Sequence, residues 1–178
     1  MASTVYYQKF DVPNDLSNRN LQKIINFYLF QSPVPDTSAR SKTFEEYGFR
    51  GKRAFSALKA AMLKSATASL AKNYKPCKRD ELEEAFRSIE VVSPPDEYCV
   101  FLKHDERTVM TSLFSAIRNA FAHGCFNMKT YNKVKIYFFL NYHGYKKAQI
   151  VLQEKTLLTW MELIQSGYGA LHTNKSFE

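Results

Sequence analysis

The chain has 178 residues, 45% of them hydrophobic and 15% aromatic, with a formal charge of +8. That fits one compact domain over residues 1–178 with a sizeable core, and excludes a second full domain. Cys77, Cys99 and Cys125 are too scattered for a disulfide framework and form no Cys-x-x-Cys zinc pair, and no apolar run approaches the roughly 18 residues of a membrane span. The start, MASTVYYQKF, lacks the basic patch and apolar core of a signal peptide. A reducing cytoplasm is the expected compartment, with no membrane partner.

Residues 18–31 follow Asn14, Asp15 and Ser17, and Leu21, Ile24, Ile25 and Tyr28 recur at helical spacing, which predicts a first helix. SPVPDTSARS, with two prolines, then predicts an exposed connection. Charge is uneven from there on. Residues 40–79 hold eleven Lys/Arg, including Arg40, against Glu45 and Glu46, a local balance of +9 that leaves −1 for the rest. Such a block attracts phosphate backbones through counterion release. A solvated helix face is the plainer reading.

A long helix is predicted over 50–74, with Phe55, Leu58, Met62, Ala66 and Ser69 turned to the core. Lys52, Arg53, Lys59 and Lys64 spread over its other side and are the candidate RNA-binding residues. An acidic amphipathic helix over 79–90 ends at VVSPPDEYC, and a further helix is predicted over 104–123. After Gly124, KVKIYFFLNYH and AQIVLQ predict a β-hairpin across Gly-Tyr-Lys-Lys. EKTLLTWMELIQSG returns to helical spacing, and the tail GYGALHTNKSFE is expected to be loose.

The helix over 104–123 carries the candidate chemistry. With Val109 at zero on a helical wheel, Met110, Leu113, Phe114, Ile117, Ala120 and Phe121 fill an apolar arc. Arg118 falls at about 180°, Asn119 at about 280° and His123 at about 320°, so all three point away from the core, and Asn119 and His123 can touch. Thr108, Thr111, Ser112 and Ser115 occupy the remaining side. Small residues permit close approach, which suggests the same helix of a second subunit packed there in a homodimer; simple solvent exposure is the alternative.

The segment IRNAFAHG resembles the signature of the HEPN superfamily, in which Arg is followed by a polar residue and, after four to six intervening positions, by His. Arg118, Asn119 and His123 fill those places. The late helix with LFSAIRNAFAHG, the strand pair and the closing helix are similar to a subfamily of bacterial and plasmid-borne proteins over about the last 75 residues. The resemblance implies a mainly α fold, a HEPN-like helical bundle with a C-terminal β-hairpin followed by a closing helix. It implies a metal-independent endoribonuclease of toxin or defence type with no cofactor, RNA as substrate and an antitoxin or regulatory protein as partner. In one toxin branch a Tyr that a partner nucleotidyltransferase modifies stands two places after the His; here it is Cys125.

In the implied mechanism two chains place two His123 imidazoles across one phosphodiester, one as general base on the ribose 2′-OH and one as general acid on the leaving 5′ oxygen. The products are a 2′,3′-cyclic phosphate and a 5′-hydroxyl. Arg118 stabilises the phosphorane-like charge, and Asn119 orients His123 or bonds the phosphate. Tyr131, Tyr137, Phe138, Phe139, Tyr142 and Tyr145 are either base-stacking surfaces or core. His104, His143 and His172 read as surface or loop residues.

Two rivals stand beside this reading. One is a HEPN module that binds RNA, a nucleotide or a protein without catalysis. The other is a helical interaction protein in which His123 is a C-terminal helix cation and Gly124 the cap. A metal hydrolase is disfavoured, because no His/Asp/Glu group has ligand spacing such as His-Glu-x-x-His, and the glycines form no phosphate loop.

Overall fold

The computed structural model describes residues 17–35, 38 and 41–173. Asn14, Asp15, Arg40, part of the 32–41 connection, the last five residues and the His172 side chain lie outside the described residues. The first helix, α1, is α-helical over Arg19–Ile25 and runs on as a π-helical turn over Asn26–Phe30. The Asn18 side chain caps it, accepting the N–H groups of Asn20 and Leu21 at 2.9 and 3.3 Å, a standard use of Asn at this position. After it Ser32 and Val34 are buried, against the exposed connection that two prolines suggested.

The predicted helix over 50–74 is three elements: α2 (Gly51–Ser65), α3 (Ala68–Lys72) and the strand β1 (Tyr74–Cys77). The break falls where Ala66 turns extended (φ −98°, ψ −175°). A short helix α4 (Leu82–Arg87) leads to β2 (Tyr98–Leu102) and then to α5 (Val109–Ala122). Three strands follow, β3 (Phe126–Tyr131), β4 (Val134–His143) and β5 (Tyr145–Gln153), and α6 (Glu154–Thr173) closes the chain.

The strands form one mixed sheet in the order β1-β2-β5-β4-β3, with β1 and β2 parallel and the other neighbours antiparallel. The mainly α, HEPN-like helical bundle is therefore corrected to a mixed α/β fold, 46% helical and 21% strand. Three strands escaped notice for physical reasons. β1 continues the Lys-rich periodic stretch and contains Pro76, which a strand tolerates at the sheet edge where β1 lies. β2 is only five residues, buried on both faces, so it shows no alternation. β3 joins β4 through Asn132 and Lys133, both at positive φ (47° and 70°), a two-residue turn that lacks the usual glycine.

The main core lies between one face of this sheet and helices α1, α2, α5 and α6. Tyr28 donates to the Leu157 carbonyl at 2.8 Å and stacks on Phe114 at 5.5 Å between ring centroids. The buried Trp160 indole donates to the Met62 carbonyl at 3.0 Å, satisfying both polar atoms away from water. On the other face α4 covers a smaller core, with Leu82 and Ala85 against Tyr98, Val100, Ile136 and Val151. The tail does not come loose at Gly167. α6 kinks there (φ 79°, ψ 169°) and continues to Thr173, with the Tyr168 N–H on the Tyr47 carbonyl at 3.1 Å.

Glu97, 1% exposed, joins these layers. One carboxyl oxygen accepts from the Thr67 N–H and hydroxyl at 3.0 and 2.7 Å, and the other from the Gln153 N–H at 2.8 Å. Removing it takes the acceptor from three half-buried donors, each bond to a charged group worth about 1.5–3 kcal/mol. Glu97→Ala is expected to lower unfolding free energy by about 3 kcal/mol in urea denaturation, and a loss below about 1 kcal/mol would contradict this role.

Candidate active site

β2 and β4 run the same way, so β2 ends, β4 ends and β3 begins at one end of the sheet. α5 must join β2 to β3 there, and it crosses over β5 and β4. Its polar stripe, the 103–108 loop and the β4–β5 tip enclose an open cleft of about 780 Å³. Lining it are Asn119 and His123 from α5, His104 and Arg107 from the loop, and Tyr142, His143 and Lys147 from the tip.

The sequence builds the α5 wall at both ends. Thr108 is the N-cap, its hydroxyl accepting the Thr111 N–H at 3.1 Å. At the other end the Cys125 N–H reaches the Ala120 carbonyl at 2.8 Å and the Gly124 N–H the Phe121 carbonyl at 3.2 Å. That pair of bonds is a Schellman motif with Gly124 at φ 65°, as its cap role suggested, and it fixes His123 as the last helical residue's neighbour facing the cleft. The apolar arc of the helix is buried as its spacing predicts, apart from half-buried Val109.

The small-residue side is covered at its two serines. Ser112 and Ser115 are buried, and the chain's own loop covers them: the His104 N–H donates to the Ser112 hydroxyl at 3.2 Å and the Arg107 guanidinium to the Ser115 hydroxyl at 3.1 Å. Ser112 and Ser115 also line the cleft, while Thr108 is exposed and Thr111 half-buried. Arg118 is half-buried and does not line the cleft. Its Nη1 donates to the Asn119 side-chain oxygen at 3.3 Å, while its Nε is shielded without a hydrogen-bond partner. Arg118 therefore acts on the cleft through Asn119, leaving the Asn119 NH₂ group as a donor toward it.

Lys52, Arg53, Lys59 and Lys64 sit on α2 and none lines the cleft. Lys52, Arg53 and Lys64 are exposed, whereas Lys59 lies over the Tyr74 ring at 5.0 Å from its centroid. The cations in the cleft are Arg107 and Lys147, which charge counting over 40–79 passed over. Tyr137 and Phe139 are core, Tyr131, Phe138 and Tyr145 are half-buried, and Tyr142 is exposed in the cleft. His104 and His143, read in the sequence as surface or loop residues, share the cleft with His123; the pairing of β3 with β4 brings in His143 and that of β2 with β5 brings in His104.

Among the described residues no three His, Cys, Asp or Glu side chains gather closely enough to hold a metal ion. His104 has its pKa pushed below the ordinary imidazole value, first by partial burial and then by the Arg107 and Lys147 charges, with Asp105 opposing. The three cysteines are free, and burial raises the Cys99 and Cys77 thiols. Among the described residues no helix is long and apolar enough to cross a membrane. Comparison of the chain with protein-family models, with curated proteins and with solved structures gave no match.

Two outcomes follow from this geometry. Gly124→Ala places a side chain at positive φ in open space, so only backbone strain of about 1 kcal/mol is expected in denaturant titration. His104 binds a proton less readily folded than unfolded. Stability should therefore fall as pH drops below about 6.5 through the depressed value, and His104→Asn should flatten that part of the curve. A curve unchanged by the substitution would contradict it.

Proposed function

We propose that this chain is a metal-independent endoribonuclease that holds RNA in the cleft at the end of the sheet. The observation that supports it is the meeting of Asn119 and His123 with further imidazoles and with Arg107 and Lys147 in one open, polar groove. A phosphodiester needs this set: cations for its non-bridging oxygens, and imidazoles that take and give protons near neutrality. The ribose 2′-OH is the nucleophile, so DNA is spared. His123 moves a proton, the Asn119 NH₂ donates to the phosphate, and Arg118 holds Asn119 in place from outside the cleft.

The resemblance of Arg118, Asn119 and His123 to the HEPN signature adds to this reading. From that resemblance alone come the toxin or defence role and the antitoxin-like regulator; the pairing of two chains draws also on the small residues of α5. A second reading, RNA binding without cleavage, draws on the exposed Lys52, Arg53 and Lys64 on α2, away from the cleft.

Incubating wild-type protein and His123→Ala with total RNA in excess EDTA separates them. Wild type is expected to release 2′,3′-cyclic phosphate ends, and His123→Ala, on the exposed end of α5, to keep the fold and make none. Cleavage by the variant at the wild-type rate would sink the assignment, and binding without cleavage by wild type would favour the second reading.

A further inference from the structure

We infer that His143 is the second imidazole of the site, so that His123 and His143 of one chain form the acid–base pair. This rests on the ribonuclease reading. β3 and β4 pair antiparallel with Phe126 opposite Phe139, and the Leu140 N–H carries the same register one step further by donating to the Cys125 carbonyl at 2.9 Å. Beyond that bond the two segments part. One turns through Gly124 into α5, while β4 runs on to His143, where a single glycine, Gly144 at φ 74°, returns the chain into β5.

The cleft opens where the segments separate, and His123 from the one and His143 from the other both line it. The two histidines therefore belong to chain segments that the sheet joins at Cys125 and Leu140, two and three residues away. His104 is a poorer partner. Its backbone is tied to Ser112, about 16 Å of helix rise from His123. The charged groups facing the pair are Lys147 from β5 and Asp105, Glu106 and Arg107 from the loop after β2. Arg107 is braced on Ser115, so it and Lys147 supply fixed positive charge for the non-bridging oxygens.

The step balances within one chain. One imidazole takes the 2′-OH proton as the 2′ oxygen bonds to phosphorus. The bond from phosphorus to the 5′ oxygen breaks, and that oxygen takes the proton of the other imidazole. The two rings end with their protonation states exchanged, and solvent restores them. No second subunit is needed to complete the site.

The test is single-turnover cleavage of an RNA oligonucleotide in EDTA by wild type, His123→Ala and His143→Asn across the range in which imidazole titrates. Wild type should give a bell-shaped profile. His143→Asn, at an exposed hairpin tip, should fold, lose at least about a hundredfold in rate and lose one limb of the bell. A substrate with sulfur in place of the bridging 5′ oxygen, whose leaving group needs no proton, should rescue whichever variant lacks the acid. Mixing the two variants should restore nothing.

His143→Asn cutting at the wild-type rate, or more slowly with the bell unchanged, would overturn the role of His143 and leave the ribonuclease reading standing, provided His123→Ala is inactive. Activity regained on mixing would assign the two imidazoles to different chains and overturn the single-chain pair. Wild type that cuts no RNA would remove both proposals.

Discussion

The carboxyl of Glu97 is the constraint on which the arrangement rests. It is buried just ahead of β2 and joins the start of α3 to the end of β5, so it fixes β2 between β1 and β5, strands from opposite halves of the sequence. A buried acceptor with three donors is directional in a way that apolar packing is not. Once β2 is seated, the place where it ends is set, and with it the root of the 103–108 loop. That loop carries His104 and Arg107 and lies over the serines of α5. The position of the cleft thus follows from a contact on the far side of the strand.

α5 meets two demands. Its apolar arc closes the main core, and its ends must both reach the same end of the sheet, three strand positions apart. A helix of 14 residues is about 21 Å long, enough to pass over β5 and β4 across the roughly 14 Å of three strand spacings. Its polar stripe is therefore aimed out past the strand ends and not along the sheet. The serines on that stripe belong to the fold of the single chain, holding the loop in place. The catalytic proposal consequently draws on three pieces of chain that only folding assembles.

Periodicity made α5 legible almost residue by residue, because a helix with one buried face repeats a regular pattern from Met110 to Phe121. The hairpin and α6 were legible for the same reason. β1, β2 and β3 were not, since four to six residues give too few repeats, and Pro76 and the Asn132-Lys133 turn carry misleading local signals. Asn119 and His123 could be placed from the sequence, while Arg118 turned out to face Asn119 and not the cleft. His104, Arg107, His143 and Lys147 could not be placed, because their proximity depends on strand order, which no local pattern encodes. A histidine beside a glycine at a hairpin tip was the one local hint.

Gly167 has a consequence for how the molecule is completed. A side chain there would bring its first carbon within 2.9 Å of the Tyr47 carbonyl, so the absence of one lets the kinked end of α6 clasp the loop ahead of α2. The clasp spans more than a hundred residues of sequence. During synthesis the Tyr47 carbonyl has to wait for a partner made more than a hundred residues later.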